Sequence, residues 1–224
     1  MDTISRVFFL LLLVVGSLGI HDLDPFVGVS HADRHGKVIQ SAGHVAVHVP
    51  QGKIRIKLRP DLSQPSVDYV VKVAQEKKCG ADCTFYRAEQ NFLLQGVIRT
   101  PVPANRQLGD CPQEFKDKPR STPCPSHDPN CGCHGPIMYP GMVGWAGGSA
   151  GPDFFIYTGN GPATHWNNDH TVWGELADEQ SMKVVEAVLR EPTNHPPHGM
   201  AMLNNVIKFD LAIDDDSSPV DTSL

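Results

Sequence analysis

The clearest pattern in the chain is a period of two. Val45, Val47 and Val49 alternate with His44, Ala46 and His48, and after Pro50-Gln51-Gly52 the residues Ile54, Ile56 and Leu58 alternate with Lys53, Arg55, Lys57 and Arg59. Alternation on both sides of a glycine-containing turn predicts an antiparallel hairpin with one buried and one wet face. The four cations read as the wet face. Pro65 suits a first helical turn, and Val67, Val70, Val71 and Ala74 follow at helical spacing, predicting an amphipathic helix that ends near Lys77, Lys78 and Gly80. A second helix is predicted from about Asp178 to Arg190, with Met182, Val185, Val188 and Leu189 inward. Short strands are predicted at 84–88, 92–97, 142–146, 153–158, 171–173 and 206–213; in the last, Ile207, Phe209, Leu211 and Ile213 share a face. Alternation in the earlier strands puts Phe85 with Arg87, Phe92 with Leu94, and Leu93 with Gln95. Two helices among many short strands predict a mainly β fold, a closed antiparallel barrel capped by two helices.

Other stretches lack such a period. Residues 21–43 read as a linker, and 98–140 as an insertion holding nine of the 19 prolines and four of the six cysteines. A structureless run of that length calls for covalent ties or a function. At the N-terminus, Arg6 precedes an apolar run from Val7 to Val15 that weakens through Gly16, Ser17, Leu18, Gly19 and Ile20. This is the pattern of a signal peptide over residues 1–20, or of a short signal anchor formed by residues 7–20. From Val7 to Ile20 a helix would reach about 21 Å at 1.5 Å per residue, short of a bilayer core of about 30 Å. Either way the chain is expected in the lumen of the secretory pathway (endoplasmic reticulum or Golgi) or outside the cell.

Charge and composition then narrow the classes. With hydrophobic residues at 40% and charged residues at 20%, the 224-residue chain can build a core. The net charge of −6 argues against a nucleic-acid partner, which needs a basic face. Asp214, Asp215, Asp216 and Asp221 make residues 214–224 an acidic tail. Behind a secretory signal, Cys79, Cys83, Cys111, Cys124, Cys131 and Cys133 are expected to form three disulfides, among 15 possible connectivities. Cys79 and Cys83 flank a helix end and suit a local bridge, whereas Cys131 and Cys133 should find separate partners. The alternative is a metal site at His127, Cys131, Cys133 and His134, whose spacing is not a usual zinc pattern. His195 and His198 read as solvated loop residues, and Gly147-Gly148-Ser149-Ala150-Gly151, with no following lysine or helix, does not read as a phosphate loop.

The segment Phe85-Tyr86-Arg87, with Phe92 five residues and Gln95-Gly96 eight residues beyond the arginine, resembles the signature of the cyclophilin family of peptidyl-prolyl isomerases. Val97 stands where that family has a second glycine. Gly141-Met142-Val143-Gly144-Trp145-Ala146, Asp153-Phe154-Phe155-Ile156 and His170-Thr171-Val172-Trp173-Gly174 resemble further family strands in the same order, so the resemblance runs over 44–213. It implies a cyclophilin-like domain there and an isomerase acting on proline-containing segments of client proteins, with no cofactor, as an expected monomer.

Rotation about an Xaa–Pro bond is opposed by an amide barrier of ~18–20 kcal/mol. A site that grips the proline and sets a fixed cation beside the twisted amide needs no nucleophile or metal. The resemblance implies Arg87 as that cation, with Phe92, Leu93 and Phe155 flooring the proline pocket and Gln95 and His170 at its rim. Ala146 and Trp166 complete the implied binding set. Three departures bear on this. Gly147 replaces the family's asparagine, Asp153 replaces a glutamine and is expected to compete for Arg87, and Trp166 lies one place later than the family's tryptophan, whose position His165 takes. They motivate the rival expectation of a proline-peptide-binding or scaffolding module with weak or no turnover.

Overall fold

The computed structural model describes residues 31–32, 38–39, 43–79, 82–100, 135–146, 152–194 and 199–214. The alternating residues fold as a hairpin of β3 (His44–Val49) and β4 (Gly52–Leu58), with Val45 opposite Ile56 and Val47 opposite Ile54. All four of these side chains are buried, as period two requires. The chain continues through α1 (Pro60–Glu76), β5 (Thr84–Glu89), β6 (Leu93–Val97), β7 (Met142–Trp145), β8 (Asp153–Tyr157), a short 3-10 turn (Thr164–Trp166) and β9 (Val172–Leu176). Then come α2 (Glu179–Leu189), β10 (Thr193–Asn194), β11 (Met202–Lys208) and β12 (Asp210–Ile213). Within the stretch read as a linker, β1 (His31–Ala32) pairs with β2 (Val38–Ile39) as a separate ribbon.

The large sheet has ten antiparallel strands in the order β10-β11-β5-β6-β8-β7-β9-β4-β3-β12. It is a mainly β fold, as expected, but the ladder ends at β10 and β12, so it describes a curled half-barrel rather than a closed ring. One continuous run, 202–213, supplies β11 near one end of the sheet and β12 at the other, with Phe209 between them donating its N–H to the Cys83 carbonyl at 3.0 Å. Ile207, Phe209 and Leu211 are buried on one side, as their spacing predicts.

Both helices press into the main core. α1 is longer than expected: a turn at Pro60–Leu62 precedes a non-helical Ser63 (φ −162°), and Pro65 opens the main helical part. Ser66 Oγ accepts from the Trp145 indole N–H at 2.9 Å, satisfying the one polar atom of a fully buried ring. The α2 N-cap is Asp178, whose carboxylate accepts from Ser181 N–H at 2.7 Å. Met182 is only half-buried; Val184 takes an inward place beside Val185, Val188 and Leu189.

The four cations, three on β4 and Arg59 just after it, are not a bare wet face. Lys53 pairs with Asp214, Arg55 with Asp214 and Asp178, Lys57 with Glu175, and Arg59 with Asp61 and Glu175. Asp214 therefore belongs to the domain and not to a tail, since its carboxylate is buried and its N–H donates to the His44 carbonyl at 3.1 Å. Burial alone would raise the Asp214 carboxyl, but hydrogen bonds from Arg55 and Lys53 outweigh it and hold the group below its ordinary value. Cys79 and Cys83 form the local disulfide. Cys111, Cys124, Cys131 and Cys133, the alternative metal cluster, residues 1–20, Gly147–Gly151, His195, His198 and residues 215–224 lie outside the described residues.

Candidate active site

β5 carries the central departure from simple alternation. Phe85 pairs with Gly96 and Arg87 with Gln95, so two steps on β5 match one step on β6, and Tyr86 is the extra residue of a bulge. The bulge reverses the phase of the strand. Phe85 points into the main core, fully buried, while Arg87 emerges on the outer face beside Gln95. The expectation that Phe85 and Arg87 share a face is therefore corrected. Gly96 permits the close strand approach, since a Cβ there would lie 2.7 Å from the Thr84 carbonyl oxygen.

Beyond the bulge, four strands align one row of residues. Met202 of β11 is opposite Arg87, Arg87 opposite Gln95, and Gln95 opposite Phe155 of β8. Directly opposed residues of antiparallel strands point to the same side. Neighbouring strands lie about 4.8 Å apart, which puts the Arg87 and Phe155 backbones about 10 Å from each other with Gln95 between them. The Arg87 guanidinium donates from Nη1 to Gln95 Oε1 at 2.9 Å and from Nε to Glu89 Oε1 at 2.7 Å. Its Cζ lies 5.6 Å from the centre of the Phe92 ring.

Phe92 is also placed otherwise than expected. It sits before β6, in a turn where Asn91 adopts φ 58° and Phe92 N–H donates to the Glu89 carbonyl at 3.1 Å. Asparagine tolerates that left-handed geometry better than most residues. The turn lays Phe92 on the outer cluster, whereas Leu94 is buried in the main core.

The outer cluster is a second, smaller hydrophobic centre. Leu93, Phe155, Tyr157, Met138, Leu62, Ala163 and Val172 are buried in it, and Phe92, Ala146, Met142 and Trp166 pack against it half-buried. Trp166 is its hub, with ring centroids 5.2 Å from Phe92, 5.4 Å from Phe155 and 5.0 Å from His170. The His170 ring lies 4.9 Å from Phe155, and its Nδ1–H donates to the Trp145 carbonyl at 3.1 Å. Thus Arg87, Phe92, Leu93, Gln95, Ala146, Phe155, Trp166 and His170, singled out from the sequence, all gather on this face.

Asp153 does not compete for Arg87. It accepts a hydrogen bond from the Tyr86 hydroxyl at 2.7 Å. Burial, then the Asp153 carboxylate, hold the Tyr86 phenol above its ordinary range. The acid beside Arg87 is instead Glu89, which the sequence reading passed over although i and i+2 on a strand share a face. Met138 was also missed. It lies at the end of the proline-rich insertion, where its carbonyl accepts from Ala163 N–H at 2.8 Å, and a stretch without period gives no signal for such a residue. Among the described residues no group of three or more His, Cys, Asp and Glu side chains is placed to hold a metal.

Comparison with known proteins agrees with this geometry. Residues 44–207 match the family model for cyclophilin type peptidyl-prolyl cis-trans isomerase/CLD. The chain is 29% identical over 136 residues to a probable peptidyl-prolyl cis-trans isomerase A of Mycobacterium bovis and, to the same extent, to peptidyl-prolyl cis-trans isomerase A of Mycobacterium tuberculosis. These alignments cover 59% of this chain and 66% of the relatives, a little under two thirds of their length. In fold it is similar to a cyclophilin type isomerase of Cryptosporidium parvum, solved in the presence of the dipeptide Ala-Pro, with a TM-score of 0.52 at 13% identity over 77% of this chain and 99% of that one. With the family model spanning most of the sheet and both helices, the chain belongs to the cyclophilin family of peptidyl-prolyl cis-trans isomerases.

Proposed function

We propose that this chain catalyses cis/trans isomerisation of Xaa–Pro bonds in client proteins of the secretory pathway. The observation that carries the reading is the row Arg87–Gln95–Phe155, which sets a fixed guanidinium across one residue from the outer aromatic cluster. The proline ring enters the outer cluster against Phe92, Leu93 and Phe155, with Ala146, Trp166 and His170 as walls. Arg87 stands over the amide on the Gln95 side. As the peptide bond twists, its nitrogen loses resonance and becomes a hydrogen-bond acceptor. A donor already in place stabilises that state more than the planar ground state, and only such differential stabilisation raises the rate. Arginine suits the task because it stays charged and its fork is rigid.

The names of the mycobacterial relatives and the Ala-Pro dipeptide of the Cryptosporidium structure support the substrate class. The apolar N-terminal run and the Cys79–Cys83 disulfide support the oxidising compartment. The test is a proline-peptide isomerisation assay with the mature protein. Acceleration over buffer, reduced at least about a hundredfold in kcat/KM by Arg87→Ala with the fold retained, is the expected result; no acceleration by the wild type refutes the activity.

A second reading, a proline-peptide-binding module without turnover, is favoured by Trp166. Its ring packs against both Phe92 and Phe155, the side chains a pyrrolidine ring would have to meet. Saturable binding of an Ala-Pro peptide without exchange between its cis and trans NMR signals would select that reading.

A further inference from the structure

The outer face holds one strong contact that the proline chemistry does not require: the Glu89 carboxylate on Arg87. Both residues lie in β5, two apart, and so share its outer face. Arg87 Nε donates to Glu89 Oε1 at 2.7 Å, and the same oxygen accepts the Ala201 N–H at 3.3 Å. The side chains are 15% and 25% exposed, so the pair is largely shielded from water. The Glu89 carbonyl also accepts from Phe92 N–H, which fixes the turn carrying the ring beneath the guanidinium. One residue therefore fixes both the cation and the turn that carries its aromatic support.

Gln95 and Glu89 hold the guanidinium from two sides. Gln95 accepts a hydrogen bond from Nη1 and Glu89 accepts one from Nε, which orients the plane of the fork and leaves Nη2, among the described residues, for an incoming peptide. An arginine side chain tethered at one nitrogen alone still rotates about its terminal torsions. Tethered at two edges it is preorganised, and the cost of ordering it is removed from the reaction step.

We propose that Glu89 is a positioning residue for Arg87: its carboxylate locks the guanidinium in the orientation that meets the twisting Xaa–Pro amide. The proposal rests on the isomerase reading above, and it makes a structural claim that can be read without turnover. The lock needs an acceptor at Oε1 and not the negative charge. Glu89→Gln keeps that acceptor, and Glu89→Ala removes it.

The test uses the full chain with its Cys79–Cys83 disulfide intact. First, the Arg87 Nε–H signal is followed by NMR in the wild type, Glu89→Gln and Glu89→Ala. A slowly exchanging signal is expected in the first two and its loss in the third. Second, the same proteins are assayed on a proline peptide. Glu89→Ala should lower kcat/KM about tenfold, mainly through kcat, with Glu89→Gln restoring it to within about threefold. In an Arg87→Ala background, Glu89→Ala should have no further effect, whereas a merely structural role would lower both backgrounds alike. The proposal is overturned if Glu89→Ala leaves the Arg87 signal or kcat/KM unchanged, or if Glu89→Gln is as damaging as Glu89→Ala. If the wild type shows no isomerisation, the isomerase reading fails by itself, and the Nε–H signal still decides whether Glu89 locks the guanidinium.

Discussion

Phe154 and Phe155 are neighbours in β8 and both are almost fully buried, yet they serve two different aromatic groups. Phe154 faces the main core, with ring centroids 5.6 Å from Phe85, 6.0 Å from Trp173 and 5.9 Å from Phe209. Phe155 faces outward to Trp166 and His170, in a cluster whose outer members stay half-exposed. The inner group is closed on all sides and can only stabilise. The outer group has an open side, and a cation stands at its edge. The same contrast separates two arginines. Arg55 is bound by two carboxylates on different elements, Asp178 and Asp214, and fastens the sheet. Among the described residues Arg87 is bound by one carboxylate and one neutral amide, which leaves part of its donor fork available there.

The comparison breaks if inner and outer substitutions behave alike. The largest effect is expected from Phe154→Ala, which should destabilise the fold by about 3–5 kcal/mol in urea unfolding. Next is Asp214→Asn, which removes a buried partner of two cations and should cost about 2 kcal/mol at neutral pH. The acid limb of stability follows from the same group. The folded-state carboxyls of Asp214 and Asp178 lie below their unfolded value of about 3.9. Their contribution is therefore complete above that value and is lost as pH falls through the lower folded-state value. Unfolding free energy should drop below about pH 4, and less steeply in Asp214→Asn. Phe92→Ala, at the open side, should weaken proline-peptide binding about tenfold, measured by titration, with a stability loss under about 2 kcal/mol. Lys57→Ala should be the mildest, under about 0.5 kcal/mol, because Lys57 and Glu175 meet at 3.7 Å near the surface.

Much of this was legible in the sequence where local rules and tertiary structure agree. The β3–β4 hairpin, the main part of α1, α2 and the inward face of 207–211 follow from period and capping alone. The gathering of the site candidates was legible through their order and spacing: Arg87, Leu93, Gln95 and Phe155 on three strands, and Phe92, Ala146, Trp166 and His170 in the connecting turns, come together on one face. What failed was what pairing decides. Alternation cannot reveal the Tyr86 bulge, because an extra residue on one strand shows only against its partner. It likewise placed Phe92 in a strand that starts one residue later. Asp153 was suspected because of its position in the resemblance, but the hydroxyl of Tyr86 reaches it first, and the carboxylate that Arg87 meets is that of Glu89. Asp214 looked like the start of an acidic run, yet Lys53 and Arg55 draw it into the sheet.

The most direct test of the central claim is exchange NMR on an Ala-Pro peptide with a substoichiometric amount of the protein, run beside Arg87→Ala. The account predicts cis–trans exchange peaks with the wild type that vanish with the variant, whose amide spectrum stays folded. Equal exchange with the two proteins would contradict it, because the guanidinium beside the outer cluster would then have no part in turning the bond.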